Sequence, residues 1–288
     1  DGITGLLKAN IRTSSQPNKD MDTYDIFRVA SAPLDIVWAD RDANLAAVDA
    51  IVDKVEDGTD LLVLPELFST GYVNDPQLLA DIAETNTGRT VDRLKEWASR
   101  RSIAIAGSFL ARTAHRYYNR AFFIEPSGEE TYYDKRHLFS LSDEAKVYAQ
   151  GVTNKPIIRF RGWNISMIVC YDLRFPVWCR SIRNSYDLLL VPSNWPQARG
   201  YAFEHLLIAR AIENQAAVVG ANRGGEDEYG KYDGLSYIFD SNGKPVARCD
   251  ERTGLLYAEL SRGRLRTQRE RFPVVYDADE FRLTAPEL

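Results

Sequence analysis

Residues 161–178 read RGWNISMIVCYDLRFPVW, and the fold follows from them. The first ten read as a strand. That strand delivers Cys170 at its C-terminal end. Pro176 suits the first turn of a helix, and 176–184 (PVWCRSIRN) is predicted to be one. Strand, loop and helix in succession form the unit from which α/β folds are built.

The same alternation extends outward on both sides. Downstream, YDLLLVPS (186–193) and AAVVGANR (216–223) read as strands around the helix AFEHLLIARAIENQ (202–215). LSYIFDSNGKPVARC (235–249) reads as a hairpin turning at Asn242-Gly243. Upstream, IFRVASAPL (26–34), DLLVLPE (60–66) and SIAIAGSFL (102–110) read as strands. They are separated by the amphipathic helices ANLAAVDAIVDKV (43–55) and TVDRLKEWASRR (90–101). YYNRAFFIEP and EETYYDK form a strand pair around Pro126-Ser127-Gly128. No linker or repeat interrupts this order, which predicts one α/β domain over residues 21–288. Residues 1–20 (DGITGLLKANIRTSSQPNKD) lack sustained periodicity and read as an extension outside the fold.

Composition narrows the function. The 288 residues are 44% hydrophobic and 27% charged, which suits a globular chain and not a disordered one. A net charge of -5 opposes a nucleic-acid partner, which needs a positive field. No apolar run is long enough to span a membrane. The three cysteines are too few for a disulfide framework, so a cytoplasmic location is expected. Zinc-ligand spacings, G-x-G-x-x-G and Walker A sequences are absent, and no metal site is expected. A small molecule is the expected partner.

Three reactive residues occupy equivalent places in the pattern. Glu66 ends DLLVLPE, Lys135 follows the strand ETYYD, and Cys170 ends NISMIVC. Strand ends are where α/β folds bind ligands, because rigid elements there release the chain into loops. Each residue has an ordinary reading on its own: inert core for the cysteine, a solvated loop charge for the lysine. A carboxylate beside an apolar run is costly to bury without a reason.

LLVLPELFSTGY (61–72), YYDKRHLF (132–139) and IVCYDLRFPVW (168–178) resemble the three signature segments of the nitrilase superfamily of carbon–nitrogen hydrolases. SNWP (193–196), RAIENQ (210–215) and FPVVYDADEF (272–281) look most like bacterial ω-amidases. The resemblance implies a four-layer α-β-β-α sandwich, paired with a second subunit, with neither metal nor organic cofactor. It implies a Glu66–Lys135–Cys170 triad, with Glu144 of DEAKVYAQG (143–151) as a second glutamate. Cys170 would attack the amide carbon, splitting one hard step into two through a thioester. Glu66 would carry the proton to departing ammonia, then activate water. Lys135 and the backbone N–H of Tyr171 would hold the oxyanion. The implied substrates are 2-oxo dicarboxylic acid monoamides. Deaminated glutathione, N-carbamoyl compounds and nitriles stay open as alternatives, as does a non-catalytic binding protein on the same fold.

Trp195 is a candidate pocket wall, and Arg174 a candidate partner for a substrate carboxylate. Asp172 and Arg174 are also expected to pair with each other, bracing the chain after Cys170. His137 is read as a packing or hydrogen-bonding residue, against the alternative of a Cys-His mechanism. His205 is assigned to a helix face and His115 to a polar loop, while Cys179 and Cys249 are expected to be passive. The arginine-rich RGRLRTQRER (262–271) is expected to be a solvated, interface-facing segment.

Overall fold

Two six-stranded sheets carry the chain in a computed structural model that describes residues 25–249 and 254–283. The proposed N-terminal extension lies outside the described residues. The first sheet contains β1 (Ile26–Ser31), β2 (Leu61–Val63), β3 (Ala104–Thr113), β4 (Arg116–Ile124) and β5 (Glu130–Asp134). The second contains β6 (Ile158–Phe160), β7 (Trp163–Met167), β8 (Leu188–Ser193) and β9 (Ala217–Asn222). A separate hairpin, β10 (Gly224–Asp227) with β11 (Gly230–Asp233), precedes β12 (Ser236–Phe239) and β13 (Pro245–Cys249), which complete the second sheet. β14 (Leu256–Ser261) returns to the first sheet and pairs antiparallel with β1. Each sheet has a parallel core, β1-β2-β3 or β7-β8-β9, extended by antiparallel strands.

Period-two alternation sorts the side chains into layers. On the first sheet Phe27, Val29, Leu61, Val63, Ala104 and Ala106 face the second sheet's Ile165, Met167, Leu188 and Leu190. Their neighbours Ala30, Leu62 and Ile105 turn outward onto helices α1 (Arg41–Val52) and α3 (Arg89–Arg101), with the short α2 (Pro76–Ile82) between them in sequence. After the single-turn helices α4 (Glu144–Val147) and α5 (Pro176–Cys179), helix α6 (Gly200–Asn214) covers the second sheet with Phe203, Leu207 and Ala211. It packs so closely that a Cβ at Gly220 would lie 2.4 Å from Leu207. Helix, sheet, sheet and helix stack in that order, as the resemblance implied.

One expectation fails and another holds only in part. PVWCRSIRN is not one helix: α5 stops at Cys179, and Arg183 and Asn184 adopt left-handed φ values of 51° and 57°. Tertiary partners replace the helical bonds there, since Ser181 N–H donates to Asn214 Oδ1 and Tyr186 Oη to the Cys179 carbonyl. RGRLRTQRER is helix α7 (Arg262–Arg271), and it is not simply solvated. Leu265 is buried, and Arg269 donates to Asp187 Oδ1 at 2.6 Å and to the Tyr186 carbonyl at 2.7 Å. No helix among the described residues is long and apolar enough to cross a membrane.

Candidate active site

The reactive residues sit where strands release the chain. After β2, Leu64 N–H still donates to Ala106 of β3, and Pro65 then removes a ladder donor. Glu66 follows, and Leu67 turns the chain with a φ of 48°. Lys135 directly follows β5, its own N–H donating to the Asn119 carbonyl at 2.9 Å. Cys170 lies three residues past β7 and opens a 3₁₀ turn, Cys170–Arg174. Its φ of 43° is left-handed, a conformation costing a side-chain-bearing residue about 1–2 kcal/mol. Strain of this kind gathers at functional sites.

These exits bring one cation between two carboxylates. Lys135 Nζ donates to Glu66 Oε1 at 2.9 Å and to Glu144 Oε1 at 2.8 Å. All three residues are only 3–4% exposed. Glu144 Oε2 accepts from Phe139 N–H at 2.6 Å. Glu66 accepts from Asn119 Nδ2 and from Asn194 N–H, each at 2.7 Å. A carboxylate offers about four acceptor sites, so one on Glu66 is left for the Cys170 thiol, which faces it. Burial alone would lower the Lys135 pKa, but Glu144 and Glu66 reverse that and hold it well above its usual range. Burial, and then the charge of Glu66, push the Cys170 thiol up, with Lys135 pulling the other way. Burial and Glu66 thus favour the protonated thiol, while the two carboxylates favour the charged lysine.

Glu66, Lys135, Glu144 and Cys170 share a cavity of about 410 Å³ with Tyr171, Arg174 and Trp195. A family model for carbon-nitrogen hydrolases matches residues 28–270. The chain belongs to the carbon–nitrogen hydrolase family. Omega-amidase YafV of Escherichia coli (strain K12) is 42% identical over 250 residues, covering 86% of this hydrolase and 95% of the relative. The 2-oxoglutaramate amidase of Bacillus subtilis (strain 168) is 31% identical over 252 residues, covering 86% and 96%. Among solved structures, a CN-hydrolase superfamily protein from Xanthomonas campestris with an arsenic adduct in its active site superposes with a TM-score of 0.86. It is 37% identical and covers 90% of this hydrolase and 99% of that chain. An amidase from Nesterenkonia sp. AN1, with acrylamide added at its active-site cysteine, gives a TM-score of 0.75 at 27% identity, covering 87% and 99%.

The structure of this hydrolase corrects one pairing and adds residues that sequence reasoning missed. Asp172 does not pair with Arg174. Fully buried, it accepts from Tyr133 Oη (2.8 Å), His137 N–H (2.8 Å) and Val169 N–H (3.0 Å), and it takes the His137 ring at Nδ1 (2.7 Å). It thereby ties the Lys135 segment to the Cys170 turn. Arg174 instead lies over Trp195, 4.9 Å from the ring centroid. Asn119 carries no motif signal in its strand, and Asn194 lies within SNWP but acts on Glu66 through its backbone N–H, which any residue type would supply. Tyr72, closing LLVLPELFSTGY, was quoted without a role, and it lines the cavity with Tyr229 and Arg199. Cys179 and Cys249 are buried outside the lining residues, and burial pushes the Cys179 thiol up to about 12.

Proposed function

We propose that this hydrolase is an ω-amidase, releasing ammonia from the terminal amide of a small 2-oxo dicarboxylic acid monoamide such as 2-oxoglutaramate. The observation carrying the reading is the Glu66–Lys135–Glu144 cluster facing Cys170 in a cavity that also holds Arg174 and Arg199. Cys170 Sγ attacks the amide carbon while its proton passes to Glu66. The oxyanion is held by Lys135, which has a third N–H beyond the two given to carboxylates, and by the N–H of Tyr171. Glu66 returns the proton to the leaving nitrogen, and ammonia departs, leaving a thioester. Water then gives a proton to Glu66 and attacks the thioester carbon, and collapse restores the thiol and frees the acid. Glu144 keeps Lys135 oriented. The arginines suit the distal carboxylate, and Trp195 closes the cavity against bulky amides. Relatives with ω-amidase and 2-oxoglutaramate amidase activity support the substrate class.

Ammonia release tests this reading, measured side by side for 2-oxoglutaramate, glutamine, a simple aliphatic amide, deaminated glutathione and a nitrile. 2-Oxoglutaramate is expected to give the highest kcat/KM. A tenfold advantage for deaminated glutathione or the nitrile would overturn the substrate class and leave the thioester chemistry standing.

A further inference from the structure

Buried tyrosines in this chain ordinarily have a partner for the hydroxyl. Tyr133 donates to Asp172, Tyr148 to the Val73 carbonyl, Tyr186 to the Cys179 carbonyl and Tyr232 to Asp227. Among the described residues, two tyrosine hydroxyls are buried with no hydrogen bond, Tyr72 and Tyr229, and both line the cavity of Cys170. Ser142 faces the first and Glu228 the second without closing a bond of ordinary geometry. A buried hydroxyl left unpaired costs about 1–3 kcal/mol, so two side by side in one pocket need a reason.

Their placement is firmly built. The rings meet edge to face with centroids 4.8 Å apart, and Tyr72 stacks on Tyr148. Tyr229 sits in the turn of the β10–β11 hairpin, where its N–H donates to Asp227 Oδ1 at 2.9 Å. The other oxygen of Asp227 takes Arg223 Nη1 at 2.6 Å. Arg223 is fully buried, donates to the Ile36 carbonyl at 3.0 Å, and lies 4.4 Å from the Tyr232 ring centroid. At Gly225, with a φ of 87°, a Cβ would fall 1.9 Å from Asp35, so the hairpin is seated directly on the loop after β1.

We infer that Tyr72 and Tyr229 donate to the oxygen-bearing tail of the substrate, and that the Arg223–Asp227 pair is a positioning device that holds the hairpin for this purpose. The inference deepens the amidase reading and rests on it. Burial pushes the Tyr72 phenol up to about 12, so at neutral pH it is a hydrogen donor and not an anion. The two hydroxyls line the same cavity as Arg174 and Arg199, and as hydrogen donors they suit a 2-oxo group or a carboxylate, both acceptors. An ammonium in place of the oxo group brings only donors and cannot accept either phenolic hydrogen. The same wall therefore favours a 2-oxo acid amide over glutamine.

Tyr72→Phe and Tyr229→Phe, singly and together, test this in the full-length enzyme. Each is expected to lower kcat/KM for 2-oxoglutaramate about tenfold or more, chiefly through KM, with a loss on butyramide about tenfold smaller. Because neither hydroxyl has a partner within the chain, the melting temperature is expected to hold or rise. A lowered melting temperature with equal losses on both amides would make the hydroxyls structural and overturn the inference, as would unchanged kinetics. The substrate assignment is tested separately by the wild-type enzyme, and falls if butyramide equals 2-oxoglutaramate. In that case 2-oxoglutarate binding to Cys170→Ala, followed by calorimetry, decides the tyrosines alone. A tenfold weaker affinity in the doubly Phe-substituted protein supports them, and an unchanged affinity rejects them.

Discussion

Lys135 and Arg174 are cations on the walls of one cavity in opposite circumstances. Lys135 is buried between two carboxylates, each held by further donors from Asn119, Asn194 or Phe139. Arg174 lies over the Trp195 face and, like Arg199 over Phe139, has no ion pair among the described residues. On the proposed reading the two arrangements serve different tasks. Charges that stabilise a transition state work best when already oriented, since nothing then reorganises during the reaction. Groups that recognise a substrate are left for the substrate to complete, and an analogue lacking the matching atom strands them unpaired.

Removing the paired cation has the largest expected effect. Lys135→Ala is expected to lower kcat by ~10²–10³ or more, and stability by about 3–5 kcal/mol, because two carboxylates are then buried without their counter-ion. Cys170→Ala provides the contrast, with turnover abolished and urea denaturation nearly unchanged. If Lys135→Ala denatures at the wild-type urea concentration, the cluster is not the interlocked unit its distances describe.

How much of this was legible follows the same division. Glu66, Lys135 and Cys170 end or follow segments that read as strands, DLLVLPE as a continuous apolar run, while Glu144 was reached only through the family resemblance. Asn119, Asn194, Tyr72 and Tyr229 reach the site through where folding places a side-chain amide, a backbone N–H or a hydroxyl. Even the segments LLVLPELFSTGY and SNWP, which contain Tyr72 and Asn194, do not announce that placement. Asp172 was noticed but given the wrong partner. Arg174 was the near charge in sequence, whereas Tyr133 and His137 reach Asp172 across 39 and 35 residues. The helix at 176–184 failed for a related reason. Asn214, 33 residues away, supplies a bond that local propensity assigned to the helix ladder. Strand β14 was missed because its pairing with β1 spans most of the chain.

Arg174→Ala tests the recognition end. KM for 2-oxoglutaramate is expected to rise roughly ten- to hundredfold, the worth of a hydrogen bond to a charged group, with little change in melting temperature. A large stability loss instead would make Arg174 a structural cation like Lys135, and the contrast between the two ends would collapse. A finer test concerns the thiol. Burial and Glu66 push Cys170 up, so its alkylation by iodoacetamide, followed by peptide mass spectrometry, should still be accelerating beyond about pH 9, above the ordinary thiol range. Cys179 and Cys249, buried outside the cavity lining, should label more slowly. A plateau for Cys170 below neutrality would mean a resting thiolate, and Glu66 would then not be needed as the base.

The smallest expected effect belongs to His137, the residue on which a Cys-His mechanism would depend. Its ring stacks on Phe175 with centroids 3.9 Å apart, and its Nδ1 meets Asp172 rather than the thiol. That bond occupies Nδ1, and His137 is not among the residues lining the cavity of Cys170. In His137→Ala, Asp172 keeps its bonds from Tyr133 Oη, Val169 N–H and the backbone N–H of residue 137, so the tie between the Lys135 segment and the Cys170 turn survives. The expected cost is one charge-assisted hydrogen bond, about 1.5–3 kcal/mol of stability. The part-exposed ring puts the value at the low end, and kcat should fall less than tenfold. Steady-state ammonia release from His137→Ala and Lys135→Ala in one buffer gives the ranking. If the histidine variant proves the more impaired in kcat at equal folded fraction, proton transfer runs through His137, and Glu66 is reduced to holding the lysine.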